Sequence, residues 1–172
     1  FLGWNFRKFK GKLLIQPSRK SKQKVTKSLS RTVKYYHEAS QELLIIKLNQ
    51  ITRGWAEYHH CVCAKKTYAL IDHRLWEMLW KWAKRRHPRK GKKWIKNRYW
   101  HPKGNREWSF RTDKAILYQM MDMPIVRIRS LDLKKNPFLD SEYFEHRRKQ
   151  HKKDKETAYL SSTAALRGYY AL

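Results

Sequence analysis

Residues 79–100 constrain the fold of this chain more than any other segment. They read LWKWAKRRHPRKGKKWIKNRYW and contain four tryptophans and ten lysines and arginines, without one aspartate or glutamate. Like charges at this density repel one another unless they face solvent or a polyanion. Tryptophan, in contrast, is stabilised when its large apolar surface is buried. The segment is therefore predicted to fold with an inner face of tryptophan and an outer face of basic residues.

The composition of the whole chain predicts a folded protein that binds a polyanion. Its 172 residues include 8 Trp, 10 Tyr and 6 Phe, more aromatic side chains than a disordered polycation carries. The formal charge is +27, and nucleic acid is the usual partner of such a charge. A membrane surface is the alternative, but no stretch reaches the roughly 18–20 apolar residues of a span, and there is no secretory signal. Because the sequence opens with Phe1 inside an apparent strand, we expect it to be part of a longer protein.

The two cysteines, Cys61 and Cys63, lie too close together in sequence for a disulfide between them to cross-link distant parts of the fold. This spacing favours a reducing compartment. Zinc binding by the HHCVC segment is the alternative to a structural role. On a helix only His59 and Cys63 share a face, and the sequence has no second ligand pair with finger-like spacing. We therefore interpret the segment as a helix end with packing thiols and predict no metal site.

The sequence before residue 40 predicts a β hairpin and a short helix. FLGWNF and RKFKGKLLIQP read as two strands joined by a turn at Gly11, and Pro17 ends the second strand. The Ser- and Lys-rich stretch that follows is either a linker or the first exposed turn of a helix. A first helix is predicted at about Leu29 to His37.

Two longer helices are predicted between residues 40 and 86, followed by a short basic helix at 92–98. Ser40 can cap the first of these, with Glu42 in its first turn. The next starts near Thr67 and ends at Arg86. Gly54 costs about 1 kcal/mol of helix propensity, so we expect a close neighbour to pack there. The predicted core stripes comprise Leu48, Ile51, Trp55, Tyr58, Ile71, Leu75, Leu79 and Trp82.

After residue 101 the pattern becomes short and alternating. EWSFRT, KAILYQM and PIVRIRSL predict a compact α+β appendage, and NPFLDSEYFEHRRKQHKK predicts a turn followed by a basic helix. Residues 151–172 remain unassigned. The predicted fold is therefore mainly α: a three-helix bundle preceded by a short β hairpin and followed by a small basic α+β appendage.

The sequence shows no catalytic centre. A polymerase or nuclease needs carboxylates placed to hold divalent metal, and no two acids are adjacent. Asp122 lies between apolar residues, where a helix or turn cap is the favoured role. There is no Gly-rich phosphate loop and no nucleophile elbow.

Nucleic-acid binding is the chemistry that remains. Between Met78 and Arg106 there are twelve lysines and arginines and no acid, although a charge run can also be a merely solvated face. Trp82 falls on the core stripe. Trp80 lies on the basic side, where it could stack on an unpaired base, but packing against Trp94 or Tyr99 is favoured.

The middle of the chain resembles a known family. LNQITRGWAEYHH and KKTYALIDHRLWEMLWKWAKRRHPRKGKKWIKNRYW are similar to the maturase-specific thumb, or X domain, of group II intron reverse transcriptases. FLGWNF is similar to the last strand block of the polymerase palm, and MPIVRIRSL with NPFLDSEYFEHRR to the DNA-binding segment after the thumb. The implied domains are the end of the palm at 1–20, the thumb at 21–100 and the DNA-binding-like segment at 101–150.

The resemblance implies a protein that binds group II intron RNA, promotes splicing and, with the rest of the reverse transcriptase, copies the intron during retrohoming. The implied RNA-binding residues are Arg53, His73, Arg74, Lys81, Lys84, Arg85, Arg86, Arg89, Lys90, Lys92, Lys93, Lys96 and Arg98. Those implied to meet target DNA or more RNA are Arg127, Arg129, Lys134, Lys135, Arg147 and Arg148. The implied location is the bacterial cytoplasm or an organelle, in a ribonucleoprotein.

Three departures from the family pattern limit what the resemblance implies. The Tyr-Ala-Asp-Asp motif of the palm is absent, so these residues should not polymerise, and Mg²⁺ is expected only for the palm and the ribozyme. Gln50 stands where proline is expected. No cysteine follows Cys63, so the zinc-associated nuclease of some relatives is not expected. A ribosomal-type RNA-binding protein is the alternative, which would share the charge but not the ordered motifs.

Overall fold

The computed structural model describes residues 2–104, 106–126, 128–129 and 131–167, the last seven by their backbone. The fold is mainly α with a β hairpin at its start, as the sequence predicts. Its elements are β1 (Trp4–Phe9), β2 (Lys12–Pro17), α1 (Arg19–Tyr35), α2 (Gln41–His59), α3 (Lys65–Arg86), α4 (Lys92–Tyr99), β3 (Trp100–Lys103), β4 (Arg106–Phe110), a 3-10 turn (Met120–Asp122) and α5 (Ser141–Arg167). None of the described helices is long and apolar enough to cross a membrane.

The hairpin forms where the sequence places it. Strands β1 and β2 pair antiparallel from Trp4 opposite Pro17 to Phe9 opposite Lys12. Lys10 and Gly11 form the connecting turn with φ values of 47° and 75°, and such a pair of left-handed residues matches the twist of a two-residue hairpin. Glycine adopts this conformation without steric cost, which explains its place in the turn.

Helix α1 begins ten residues earlier than the sequence predicts. Its N-cap is Ser18, whose hydroxyl accepts a hydrogen bond from the Ser21 amide at 3.1 Å. The buried residues Val25, Leu29 and Val33 recur every fourth position and face the core. Lysines and serines fill the positions between them, so the helix resembles a linker by composition although its apolar face is regular.

The bundle consists of α1, α2 and α3, whereas the sequence predicts three helices within residues 40–98. Helix α1 packs against both α2 and α3, and the short α4 lies beside α3 and β3. Ser40 caps α2 by accepting from the Leu43 amide at 3.2 Å. Helices α2 and α3 are joined by the buried Tyr68 hydroxyl, which donates to the Ala56 carbonyl at 2.7 Å. The core thus needs α1 to close it.

Most of the predicted core residues are buried or packed against the core. Leu48, Ile71, Leu75, Leu79 and Trp82 are buried. Ile51 and Trp55 are partly buried and pack against the core.

The surroundings of Tyr58 and Gly54 differ from those that the sequence predicts. Tyr58 is 49% exposed, because its ring stacks on Trp4 at the surface and its hydroxyl donates to the Leu2 carbonyl at 2.6 Å. Its place on the buried face of α2 is taken by Ala56 and His59. A Cβ atom added at Gly54 would meet nothing within 4 Å, so the expected close neighbour is not there.

Residues 111–126 form an extended strap across α2 and α3 instead of further strands. The Asn49 side chain donates to the Ile116 carbonyl at 2.8 Å and accepts from the Tyr118 amide at 2.7 Å. The Asp72 carboxylate accepts from the amides of Met120 and Met121 at 3.1 and 2.9 Å. Side chains of the bundle therefore satisfy the backbone that a neighbouring strand would otherwise pair with.

Candidate nucleic-acid interface

The basic residues at the end of α3 and along α4 form an exposed surface. We call this set the α3–α4 basic surface: Lys81, Lys84, Arg85, Arg89, Lys90, Lys92, Lys93 and Arg98. Behind it lie the buried side chains of Leu79, Trp82, Ile95 and Tyr99. The segment 79–100 thus separates its charges from its apolar side chains by helical periodicity, with the core on one side and solvent on the other.

Several basic side chains of this region rest on aromatic rings. Lys90 Nζ lies 5.4 Å from the ring centroid of Trp94, and the partly buried Lys96 lies 5.4 Å from that of Trp108. Cation–π contacts of this kind hold an ammonium group near the surface without neutralising its charge. The positive charge therefore remains available to an external anion.

Arg86 differs from its neighbours because it also has a structural role. Its guanidinium donates to the Ala39 carbonyl at 2.5 Å and lies 4.7 Å from the Trp82 ring centroid. These contacts fix the connection between α1 and α2 against the end of α3. A substitution of Arg86 would consequently change stability as well as charge.

Three further predicted RNA-binding residues, Arg53, His73 and Arg74, come earlier in the chain than the α3–α4 basic surface. Arg53 is exposed on α2 and stacks over Tyr118 at 5.2 Å. His73 and Arg74 are exposed on α3, where His73 Nε2 lies 3.6 Å from Glu77. Arg74 lies about two helical turns before Lys81 on the same face of α3, whereas Arg53 lies on a different helix.

Trp80 packs within the protein, as the sequence analysis favoured, but against other partners than Trp94 and Tyr99. Its ring is stacked on Trp76 at 5.7 Å between centroids and contacts Trp100 at 5.2 Å and Trp108 at 6.2 Å. Trp94 instead meets His87 edge to face at 4.8 Å. The tryptophans thus join α3 to the β3–β4 hairpin.

In the segment implied to bind DNA or RNA, several basic side chains are engaged within the protein. Arg129 forms a bidentate ion pair with Asp154 at 2.7 and 3.0 Å and also donates to Gln150. Lys135 pairs with Asp140 at 3.0 Å, and Arg147 donates to the Arg129 carbonyl. These contacts connect the segment to α5.

Lys134, Arg148 and Arg127 are the remaining members of that set. Lys134 and Arg148 are exposed, whereas Arg127 lies outside the described residues. Asp122, for which a cap was the favoured role, pairs with Arg106 through two hydrogen bonds of 2.8 and 2.5 Å.

A second basic region, on the hairpin and α1, was not among the predicted binding residues. Residues 1–37 contain eleven lysines and arginines without an acid, and nearly all of these side chains are exposed. The excess of lysine and arginine was visible in the sequence. However, the first helix was predicted only at 29–37, so most of these residues were not expected to share a surface. The longer α1 provides one.

His59 lies at the centre of a buried hydrogen-bonded cluster that joins the hairpin to α1 and α2. Its Nδ1 accepts from the Trp4 indole at 3.0 Å, and its Nε2 lies 3.1 Å from the Ser21 hydroxyl, which also accepts from Trp55 at 3.2 Å. Because Nδ1 is an acceptor, neutral His59 carries its proton on Nε2 and donates it to Ser21. Burial lowers the pKa of His59 to about 4, so the ring is neutral near pH 7.

This protonation pattern assigns the cluster a structural role. A histidine that donates to a serine hydroxyl cannot remove its proton, so Ser21 is not activated as a nucleophile. Within the described part of the chain, no group of three or more His, Cys, Asp or Glu side chains is placed to hold a metal ion. What the described surface offers chemically is positive charge for a polyanion.

The fold and its surface define the class of module: a small helical bundle whose exposed surface is strongly basic. Residues 19–100, just under half of the chain, match the family model described as "Group II intron, maturase-specific domain". The match supports the interpretation of the chain as the C-terminal region of a group II intron maturase. No curated protein matches the chain.

Proposed function

We propose that this chain binds the structured RNA of a group II intron and thereby promotes its splicing. The observation that carries the proposal is the coincidence of two findings. The residues that match the maturase-specific domain are the same residues that build the bundle and display the α3–α4 basic surface. A rigid surface of fixed charges can distinguish one folded RNA from another by the spacing of its phosphates.

The finer parts of the proposal follow from the family resemblance. In the full-length protein the chain would cooperate with the rest of a reverse transcriptase, where Mg²⁺ would serve the palm and the ribozyme. The exposed Lys134 and Arg148 are available to target DNA or to further intron RNA. The complex would reside in the bacterial cytoplasm or in an organelle as a ribonucleoprotein.

The proposed function is tested by measuring affinity across a salt series for three nucleic acids. These are a folded group II intron RNA, an RNA of the same composition in scrambled order, and a duplex of matched length. Contacts to 6–10 phosphates would change affinity by roughly 10³–10⁵ between 50 and 200 mM salt. The proposal requires a preference for the folded intron that persists at 200 mM salt.

Equal affinities that fall together with salt would contradict the proposal. The chain would then behave as a polycation that meets phosphate without recognising RNA shape, as a general RNA-binding protein does.

A further inference from the structure

A cleft of about 520 Å³ lies where the start of α2, the end of α3, α4, strand β3 and the residues after β4 converge. This volume falls within the roughly 300–1,000 Å³ of typical ligand sites. Its apolar wall is formed by Trp82 and Tyr99. The cleft lies outside the α3–α4 basic surface, apart from the shared residue Arg98.

Gln41 holds the walls of this cleft together. Its side-chain amide donates to the Tyr99 carbonyl at 2.9 Å and to the Arg111 carbonyl at 3.2 Å. One residue at the start of α2 therefore fixes the end of α4 and the residue after β4. Preformed walls of this kind lower the conformational entropy lost when a ligand binds.

Four lysine or arginine side chains and one histidine, from α3, α4, β3 and the residues after β4, line the cleft: Arg86, Arg98, His101, Arg111 and Lys114. Among the described residues, none of the four arginines and lysines in this set forms an ion pair. Arg98, His101 and Lys114 are exposed, so their polar groups can reach a ligand.

Two carboxylates, Glu42 and Asp113, also line the cleft. Leaving His101 aside, four positive charges and two negative charges leave a net charge of +2. This small excess suits a ligand with one negative charge better than it suits the several charges of a nucleoside triphosphate. A nucleic-acid backbone presents one charge per phosphodiester.

We propose that this cleft is a subsite for one backbone phosphodiester of RNA, bound by Arg98, Arg111 and Lys114. Arginine and lysine provide charge-assisted hydrogen bonds to phosphate oxygens. The nearly buried rings of Tyr99 and Trp82 form the floor of the cleft behind these side chains. The inference rests on the proposed function for the kind of nucleic acid, and it adds Arg111, His101 and Lys114 to the interface.

The test compares Arg98→Gln with Lys114→Gln, made together, against Lys152→Gln with Lys153→Gln on α5. All four side chains are exposed and each pair removes the same charge. We expect the cleft pair to weaken binding of the intron RNA at least tenfold and to reduce the salt slope by about 1, as loss of one phosphate contact predicts. The α5 pair should weaken binding by less than threefold. Equal losses in the two pairs would overturn the subsite.

Two further measurements locate the ligand and identify its source. The His101 imidazole signals in an NMR spectrum should shift when a short oligoribonucleotide is added to the wild-type chain and remain unshifted in the cleft pair. Millimolar inorganic phosphate, at matched ionic strength, should leave these signals in place. Saturation of the shift by inorganic phosphate would overturn a backbone subsite in favour of a free-anion site.

These outcomes separate the subsite from the proposed function. If the wild type binds folded and scrambled RNA equally, the proposed function fails, while a difference between the cleft pair and the α5 pair still supports the subsite. If the wild type prefers the intron and the two pairs behave alike, only the subsite fails.

Discussion

The indole N–H of Trp4 donates a hydrogen bond to Nδ1 of His59 across 55 positions of sequence, at 3.0 Å. This bond attaches the β hairpin to the helical bundle through a residue that is buried and neutral near pH 7. Protonation of Nδ1 would remove the acceptor and place a charge inside the fold. The attachment should therefore depend on pH.

The stability difference between the wild type and His59→Gln should decrease as the pH falls. In the folded protein the pKa of His59 is about 4, below the ordinary value of 6.5. As the pH falls from 6.5 to 4, the unfolded chain therefore binds a proton at His59 more readily than the folded protein does, and this proton binding favours unfolding. The wild type should lose about 3 kcal/mol relative to His59→Gln over this range. Urea unfolding of both proteins at pH 7, 5 and 4 measures the difference, and a difference independent of pH would contradict it.

The comparison with a variant is needed because Asp72 acts in the opposite direction. Burial raises the pKa of Asp72 to about 6, so its ionisation as the pH rises from 3.8 to 6 favours the unfolded chain. The two dependences oppose each other in the wild type. Asp72 is present in both proteins, and its contribution cancels in their difference.

Trp82→Ala should lower the free energy of unfolding by about 3–5 kcal/mol, because it removes a buried tryptophan from the core. The side chain is 3% exposed, meets Tyr99 and Phe110 edge to face, and donates to the Tyr36 carbonyl at 3.3 Å. Urea denaturation provides the measurement. Trp82→Phe is the matched control and should lose much less, and equal losses for the two variants would show that ring packing is not the cause.

Lys84→Ala with Arg85→Ala should weaken RNA binding and leave the melting temperature nearly unchanged. Both side chains are exposed, and neither forms an ion pair among the described residues. The slope of log affinity against log salt should fall by about 1.4–1.8, the value for two phosphate contacts. Lower melting with unchanged binding would show that these residues stabilise the fold instead.

Gly54→Ala should stabilise the protein by about 0.5–1 kcal/mol. Gly54 is exposed inside α2, and an added Cβ has open space around it, so the gain in helix propensity meets no steric cost. Thermal unfolding measures the effect. Gly11→Ala is the contrasting control, because at a φ of 75° alanine should cost about 1–2 kcal/mol. Destabilisation by Gly54→Ala would mean that a neighbour occupies that space.

Tyr159→Phe should raise the pKa of Glu57. Burial raises the pKa of this carboxyl, but hydrogen bonds from Tyr159 at 2.5 Å and from Lys155 at 3.2 Å outweigh burial and lower it below the ordinary value. Without the Tyr159 hydroxyl, one of the two hydrogen bonds that lower the Glu57 pKa is lost, so the effect of burial raises that pKa. An NMR titration of the Glu57 carboxyl checks the direction, and Tyr143→Phe serves as a control that should leave this pKa unchanged.

The elements that the sequence predicted well are those with local causes. A glycine at a left-handed turn position and a serine at a helix N-cap act through their own backbone, so the hairpin at Gly11 and the start of α2 at Ser40 could be predicted from residues nearby. The end of α3 before Pro88 has the same local origin. The exposure of Lys84 follows from helical periodicity, because it projects about 200° around the helix from Trp82, which must be buried.

The sequence by itself thus determined helices α2 and α3, the separation of tryptophan from positive charge, and the resemblance to a maturase-specific domain. The tertiary structure alone decided which distant residues meet. Three hydrogen bonds depend on such long-range packing: Gln41 to the Arg111 carbonyl, the Tyr118 amide to Asn49, and Tyr159 to Glu57. The physical reason is that periodicity reports which face of an element is apolar, whereas polar contacts between elements depend on where the packed core places them.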